Sequence, residues 1–410
     1  MWCWYSGLIS LKNPMNNKKV NYTSFLNEKE KAVRSIYISS YIPRKCGIAT
    51  FTKDLTNAIN HQNPEAIAEI IALNDNGENY DYPWEVKYRI SQNNPEDYIS
   101  ACNYINQSSA DIVNLQHEFG LFGGVDGDYI LPMIDMLEKK LVSCFHSILQ
   151  EPDEHKKYII KRIIEKSEAV IAMSENSRQI LINVYDCPEE KAVLIYHGVP
   201  DFTFEDTIKY KERLNIETER MLLMSGLLGP GKGIEYVINS MPKIIEIFPN
   251  TKFYIVGQTH PSLLRSEKEA YREKLQEIIE ELNLSNNIIF INKYLTLEEL
   301  KDYYLAADIF LTPHLDPQQP TSGTLAYALG AGKICISTPY NYAKEMLANG
   351  TGIIVQFKNS DDISKSVIEV FSDNALYNKY RNSSFQLGKQ MQWPRVARRN
   401  LNLFRFISEN

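Results

Sequence analysis

The sequence predicts an α/β fold with two Rossmann-like, doubly wound domains. Short runs rich in β-branched residues alternate with segments of helical period along most of the chain. Near-continuous apolar strands separated by amphipathic helices form parallel sheets covered on both faces. The runs fall into two series, divided by a charged stretch at residues 200–219. A length of 410 residues also exceeds what one hydrophobic core usually supports, which makes two domains the default.

Composition narrows the class. Hydrophobic residues make up 44% of the chain and charged residues 23%, as in an ordinary soluble globular protein. A formal net charge of −7 argues against general nucleic-acid binding. The cysteines (Cys3, Cys46, Cys102, Cys144, Cys187 and Cys335) are scattered, with no C-x-x-C pair. Neither a zinc site nor a disulfide framework is expected, and a reducing cytoplasm is the simpler location. The apolar start is interrupted at Lys12, Asn13 and Pro14, too soon to span a bilayer. Residues 1–30 are expected to be a disordered lead, with Met15 as an alternative initiator.

Strands of the first series are expected at 35–41, 66–73, 111–117, 141–146, 169–174 and 192–197, in a domain covering 31–205. The second series, at 221–227, 252–258, 288–295, 309–314, 333–337 and 352–357, belongs to a domain covering 206–385. After its first strand, Ile234, Val237, Ile238, Met241, Ile244, Ile245 and Phe248 share one helical face, with a kink expected at Pro242. The tail, 386–410, is amphipathic and is expected to form a helix packing back toward the first domain. Ligands of open α/β sheets bind beyond the carboxyl ends of the strands, so the loops there are the site candidates.

The stretch GLLGPGKGIEYV places Gly226, Gly231 and Lys232 at the spacing of an NTP-binding loop, but the required Ser or Thr is Gly233 and Pro230 removes an amide. In the loop 41–55, Gly47 permits a tight turn and a helix is expected to start at about Thr50 or Phe51, with amides free to face an anion or sugar hydroxyls. Judged alone, a plain strand–helix turn is the better reading of this loop. In the loop 114–129, His117 and Glu118 end an apolar strand side by side, suited to substrate hydroxyls or proton transfer. Asp126 and Asp128 imitate a metal pair, but a surface turn is the better reading. His146 and His197 also end apolar strands, so three of seven histidines occupy such positions. The helix containing Lys156, Lys157, Lys161, Arg162 and Lys166 reads as a solvated face, with acidic residues leading and basic ones following, rather than as a membrane-surface contact. After the strand IFLTPH, Thr321, Ser322, Gly323 and Thr324 offer hydroxyls and free amides at a helix start, suited to N-capping or to a phosphate.

With these loops placed, nearly the whole chain from about residue 35 resembles the retaining glycosyltransferases of the GT-B fold, family 4 in particular. CGIATF matches the family's glycine turn, Gln116-His117-Glu118-Phe119 its His-Glu pair, and residues 226–233 its G-R-L-x-x-x-K-G loop. Residues 319–332 match its E-x-F-G-x-x-x-x-E-A-x-A-x-G segment. The resemblance implies two domains facing a central cleft, a nucleotide diphospho-sugar bound mainly on the second domain, and a sugar or glycan acceptor on the first. It implies that Lys232 and the amides around Ser322, Gly323 and Thr324 hold the leaving diphosphate, that His117 contacts the donor sugar, and that no metal is required. Leu227 replaces the family's arginine, and Gln319 and Tyr327 replace its two glutamates, which touch the donor sugar and the ribose. Arg265 is a candidate substitute cation. A sugar 1-phosphate enzyme of the same fold, a nucleotide-sugar epimerase and a catalytically silent sugar-binding relative remain alternatives.

Overall fold

The computed structural model describes residues 31–75 and 77–410; the expected lead at 1–30 lies outside them. Val33–Asn410 form one compact unit containing two parallel sheets, of seven and six strands. The first comprises β1 (Ser35–Ser39), β2 (Glu69–Asn74), β3 (Val86–Ser91), β4 (Ile112–His117), β5 (Lys140–Phe145), β6 (Ser167–Ala172) and β7 (Ala192–Leu194). Its order, β3-β2-β1-β4-β5-β6-β7, reverses direction at β1/β4, which is the topological switch point of a doubly wound sheet. The second comprises β8 (Arg220–Ser225), β9 (Thr251–Val256), β10 (Ile288–Ile291), β11 (Ile309–Thr312), β12 (Ile334–Ser337) and β13 (Ile353–Ile354), in the order β10-β9-β8-β11-β12-β13. It reverses at β8/β11. Both switch points therefore lie at the loops that the sequence marks as site candidates.

The cores are what the apolar runs require. β1 and β4 are buried along their whole length, as parallel strands covered on both faces must be. The Ile234–Ile247 helix buries Ile234, Val237, Ile238, Met241 and Ile244 and continues through Pro242. The structure adds to or corrects the expectations at three places. β3, VKYRIS, was not expected as a strand: it is an edge strand with half of its residues exposed and one buried, so it lacks an apolar run. The stretch 200–219, expected only as the charged divide between the two series, carries a helix, Thr207–Arg213, capped by Asp206. The first helix begins at Gly47 rather than at Thr50 or Phe51, because the Cys46 Sγ caps it by accepting from the Ala49 N–H.

The Trp393–Glu409 helix packs on the first half. Trp393, Val396, Ala397, Leu401 and Phe404 join Tyr37, Phe51, Leu55 and Ile59 in one apolar cluster. Where the chain passes between halves, Val199 N–H donates to Met391 O (2.8 Å) and Trp393 N–H donates to Val199 O (2.9 Å).

Candidate active site

The second half contributes a turn and a helix start. β8 ends at Ser225, and Gly226 follows with φ +118°. A Cβ at Gly226 would lie 3.3 Å from Thr324 Cγ2, so this turn touches the first residues of the Gly323–Gly330 helix. Residues Pro230–Lys232 form one tight helical turn. Gly233 closes it at φ +64°, where a Cβ would stand 2.2 Å from the Pro313 carbonyl oxygen, and only glycine fits both demands. Leu315 N–H donates to Gly231 O (2.9 Å). The Lys232 turn is thereby fastened to the loop after β11.

Lys232 is half-buried, and burial lowers its pKa from 10.5 to about 8. Its Nζ lies 3.3 Å from His314 Nε2, and among the described residues it forms no ion pair. His314 is 2% exposed and stacks on Tyr340 with ring centroids 5.1 Å apart. Burial, reinforced by the Lys232 charge, lowers its pKa to about 3. His314 Nδ1 lies 2.8 Å from Gln319 Oε1, and Gln319 Nε2 donates to Thr321 O (3.0 Å). Ser322 then caps the helix, its Oγ accepting from Leu325 N–H (3.3 Å) and lying 3.2 Å from Thr324 Oγ1. The amides of Gly323 and Thr324 belong to the first turn, which has no intrahelical carbonyl to accept from them.

The first half meets this helix start from across the cleft. His197, at 8% exposure, donates from Nδ1 to Gly198 O (2.7 Å), and its Nε2 would be 3.1 Å from a Cβ on Gly323. Phe51 places its ring edge-on to both His197 (5.0 Å) and His146 (4.8 Å). His146 Nε2 lies 2.8 Å from Gln116 Oε1. Burial lowers the His146 pKa to about 3 and the His197 pKa to about 4. His117 is fully buried between Phe119, Phe122 and Phe145, and burial pushes its pKa down to about 3. Among the described residues neither of its ring nitrogens has a hydrogen-bond partner. Glu118 accepts from Ser147 Oγ and from Phe119 N–H (3.1 Å), and burial raises its pKa.

Several polar contacts join the halves. Thr50 Oγ1 lies 3.4 Å from the Tyr294 hydroxyl. Tyr327 donates to Asp54 Oδ2 (3.1 Å), whose pKa burial raises to about 6. The Glu345 carboxylate accepts from the Glu175 and Asn176 amides, each at 2.8 Å, and so caps the Glu175–Tyr185 helix from the other half.

The sequence candidates therefore divide. Gly226, Gly231, Lys232, Gly233, Gln319, Thr321, Ser322, Gly323 and Thr324 converge around one turn and one helix start. His117 is sealed within aromatic rings. Both ends of the Gln319 amide are occupied by the protein itself. The Tyr327 hydroxyl is directed at Asp54. Arg265 ends the Pro261–Glu267 helix as an exposed residue, and its charge, with that of Lys232, helps burial to depress the His260 pKa. Asp126 pairs with His155 (3.1 Å) and Lys156 (3.2 Å), so the apparent metal pair is a salt-bridged surface turn. On the same helix, Lys161 pairs with Asp186 and Arg162 with Asp135. Sequence reasoning did not single out His314, Asp54 or Glu345. His314 alone carried a signal, as a fourth histidine just beyond a strand end.

Comparison with known proteins matches two family models. Residues 47–201 match Glycosyltransferase Family 4, and residues 206–386 match Glycosyl transferases group 1. An uncharacterized glycosyltransferase of Methanocaldococcus jannaschii is 26% identical over 250 residues, 58% of this chain and 60% of that protein. The chain spans 55% to 60% of the length of three of the curated relatives it matches. Among solved structures, a sucrose-phosphate synthase from Thermosynechococcus elongatus superposes with a TM-score of 0.74 at 16% identity, covering 91% of this chain and 99% of that one. Anabaena HepE in complex with UDP superposes with a TM-score of 0.72 at 14% identity, covering 90% and 99%.

Proposed function

Because the chain belongs to the group 1 glycosyltransferases with the GT-B fold, we propose that it moves a sugar from a nucleotide diphospho-sugar to a carbohydrate-containing acceptor with retention of configuration. The observation that carries this reading is Lys232, a half-buried cation without an acidic partner among the described residues, on a turn fastened beside the Ser322-capped helix start. A half-buried ammonium held beside a neutral ring is unfavourable on its own, and a diphosphate would supply the opposite charge. In the reaction the bond from the anomeric carbon to the diphosphate oxygen breaks and a bond to the acceptor oxygen forms. The acceptor's proton passes to the departing diphosphate. Lys232 and the amides of Gly323 and Thr324 stabilise the negative charge that grows on that group, the term that weighs most in such transfers. These groups supply the charge a metal would otherwise bring, so activity is expected to persist in a chelator. HepE was solved with UDP, which makes UDP the first nucleotide to test.

The reading is tested by incubating the protein with a panel of nucleotide sugars and sugar 1-phosphates and following nucleotide and phosphate release by mass spectrometry. Acceptor-dependent nucleotide release is the expected result. Turnover of a sugar 1-phosphate without any nucleotide would instead place the protein among phosphorylase-like enzymes.

A further inference from the structure

A chain of hydrogen bonds whose directions are all fixed runs from the backbone to Lys232. The Thr321 carbonyl can only accept, so the Gln319 end facing it is the NH₂ group (3.0 Å). That turns Oε1 toward His314, where it too can only accept, so His314 Nδ1 carries the hydrogen (2.8 Å). The neutral imidazole then presents the bare lone pair of Nε2, and the Lys232 ammonium donates to it (3.3 Å). The ring has one place to sit, stacked on Tyr340, while Thr338 Oγ1 donates to the His314 carbonyl oxygen (2.5 Å) and Leu315 N–H holds the Lys232 turn.

We propose that His314, locked by Gln319 as the Nδ1–H tautomer, is a positioning residue that aims Lys232 at the leaving phosphate, and that Gln319 serves this relay. The inference rests on the reading above that Lys232 meets a diphosphate. Its physical logic is that an anchor for a phosphate-binding lysine must be neutral. A carboxylate in the place of His314 would hold the ammonium but neutralise it, and would compete with the ligand. An imidazole lone pair fixes one N–H, removes the rotamer freedom of a long side chain, and leaves the charge and two N–H bonds available. Gln319 keeps the ring in that state, since an amide oxygen accepts from Nδ1–H without stabilising the imidazolium. A carboxylate at 319 would stabilise the imidazolium, replacing the lone pair by an N–H aimed at a like charge.

The relay is tested with His314→Phe, His314→Gln and Gln319→Glu. Measurements are UDP affinity by calorimetry, kcat and donor KM from pH 5 to 9, and the His314 ring signals by ¹⁵N NMR. His314→Phe is expected to lower kcat about tenfold, with a smaller change in KM. His314→Gln places an acceptor oxygen near the Nε2 position and is expected to recover all but about threefold. Native His314 is expected to remain the neutral Nδ1–H tautomer across the range, in keeping with its depressed pKa. In Gln319→Glu it is expected to titrate between pH 5 and 8, with kcat and UDP affinity falling as the imidazolium forms. The proposal is overturned if His314→Phe equals the native protein, if His314→Gln is no better than His314→Phe, or if Gln319→Glu keeps the native pH profile. A Lys232→Met variant with unchanged UDP affinity would instead remove the donor reading itself. Should His314→Phe fail to fold, the NMR titration of Gln319→Glu decides alone.

Discussion

Replacing Lys232 by methionine separates ligand binding from stability, because the two effects have opposite signs. In the unliganded protein the ammonium is half-buried beside a neutral imidazole, and its pKa is lowered from 10.5 to about 8. Between those values the unfolded chain binds more protons than the folded one, so stability rises with pH across that window. Below pH 8 the folded state bears the full cost of the charge. Methionine keeps the apolar stem and removes that cost, so at pH 7 the unliganded variant is expected to melt at or above the native temperature. Ligand binding moves the other way. A hydrogen bond to a charged group contributes about 1.5–3 kcal/mol, so the nucleotide affinity of the variant falls about 10- to 150-fold. At a nucleotide concentration one hundred times the native Kd, the native protein gains about 2.7 kcal/mol, while a variant one hundredfold weaker gains about 0.4 kcal/mol. For a cooperative unit of about 150–250 residues, the size of either half, 1 kcal/mol corresponds to about 2–4 °C. The expected melting shifts are therefore about 5–11 °C for the native protein and about 1–2 °C for the variant. Thermal melts with and without UDP, GDP and ADP, with affinities checked by calorimetry, read both effects. Equal ligand shifts in the two proteins would refute the assignment of Lys232 to the diphosphate. An unliganded variant melting several degrees lower would refute the claim that its charge is unfavourable without ligand.

His117→Leu removes two ring nitrogens that have no partner among the described residues. It is expected to raise stability by about 1–3 kcal/mol in urea melts. Burial places the pKa values of His117, His146, His197 and His314 at about 3, 3, 4 and 3, below the unfolded value near 6.5, so the unfolded chain binds more protons as acidity rises. These four groups are expected to lower stability by about 4 kcal/mol between pH 6.5 and 5.5, and His117→Leu should remove about a quarter of that dependence in urea melts. Gly388→Ala would set a Cβ 2.5 Å from Gly330 Cα and 2.7 Å from Leu329 O, backbone atoms that cannot yield separately. It is expected to lower stability by about 1–3 kcal/mol in thermal melts, and to displace the Gly323–Gly330 helix enough to weaken nucleotide binding.

The fold was largely legible because parallel strands buried on both faces leave continuous apolar runs. β3 escaped for the same reason in reverse, since an edge strand half open to solvent has no such run. Of the site, the glycines and Lys232 were legible because a close backbone approach restricts residue choice, and the structure gives the cause in Pro313 O beside Gly233. His314 was not, since nothing local indicates that it lies against a lysine 82 positions away. Asp54 reads as an ordinary polar position on an amphipathic helix, and only the facing Tyr327 makes it a cleft residue. Gln319 was read as a donor-sugar contact from its place in a motif, whereas both ends of its amide are occupied by His314 and Thr321. Side-chain partners arise from tertiary geometry that spacing along the chain does not encode.

That geometry also explains how a site divided between two sheets keeps its register. The chain passes between the halves near Val199 and returns near Met391. The two crossings are bonded to each other through Val199 N–H to Met391 O and Trp393 N–H to Val199 O. Gly198 accepts the Trp393 ring so closely that a Cβ would lie 2.0 Å from it, and Trp393 in turn packs edge-on to Phe51 (5.3 Å). Phe51 holds His197, which faces Gly323 at the helix start. The position of that helix start against the first half is thus set by a few residues beside the crossing rather than by the long loops of either sheet. The interhalf hydrogen bonds at Asp54, Ser177 and Glu345 then fix its rotation. Small residues at the crossing follow from this arrangement: Gly198 and Gly330 each sit where a side chain would drive the two halves apart at the point from which the site is built.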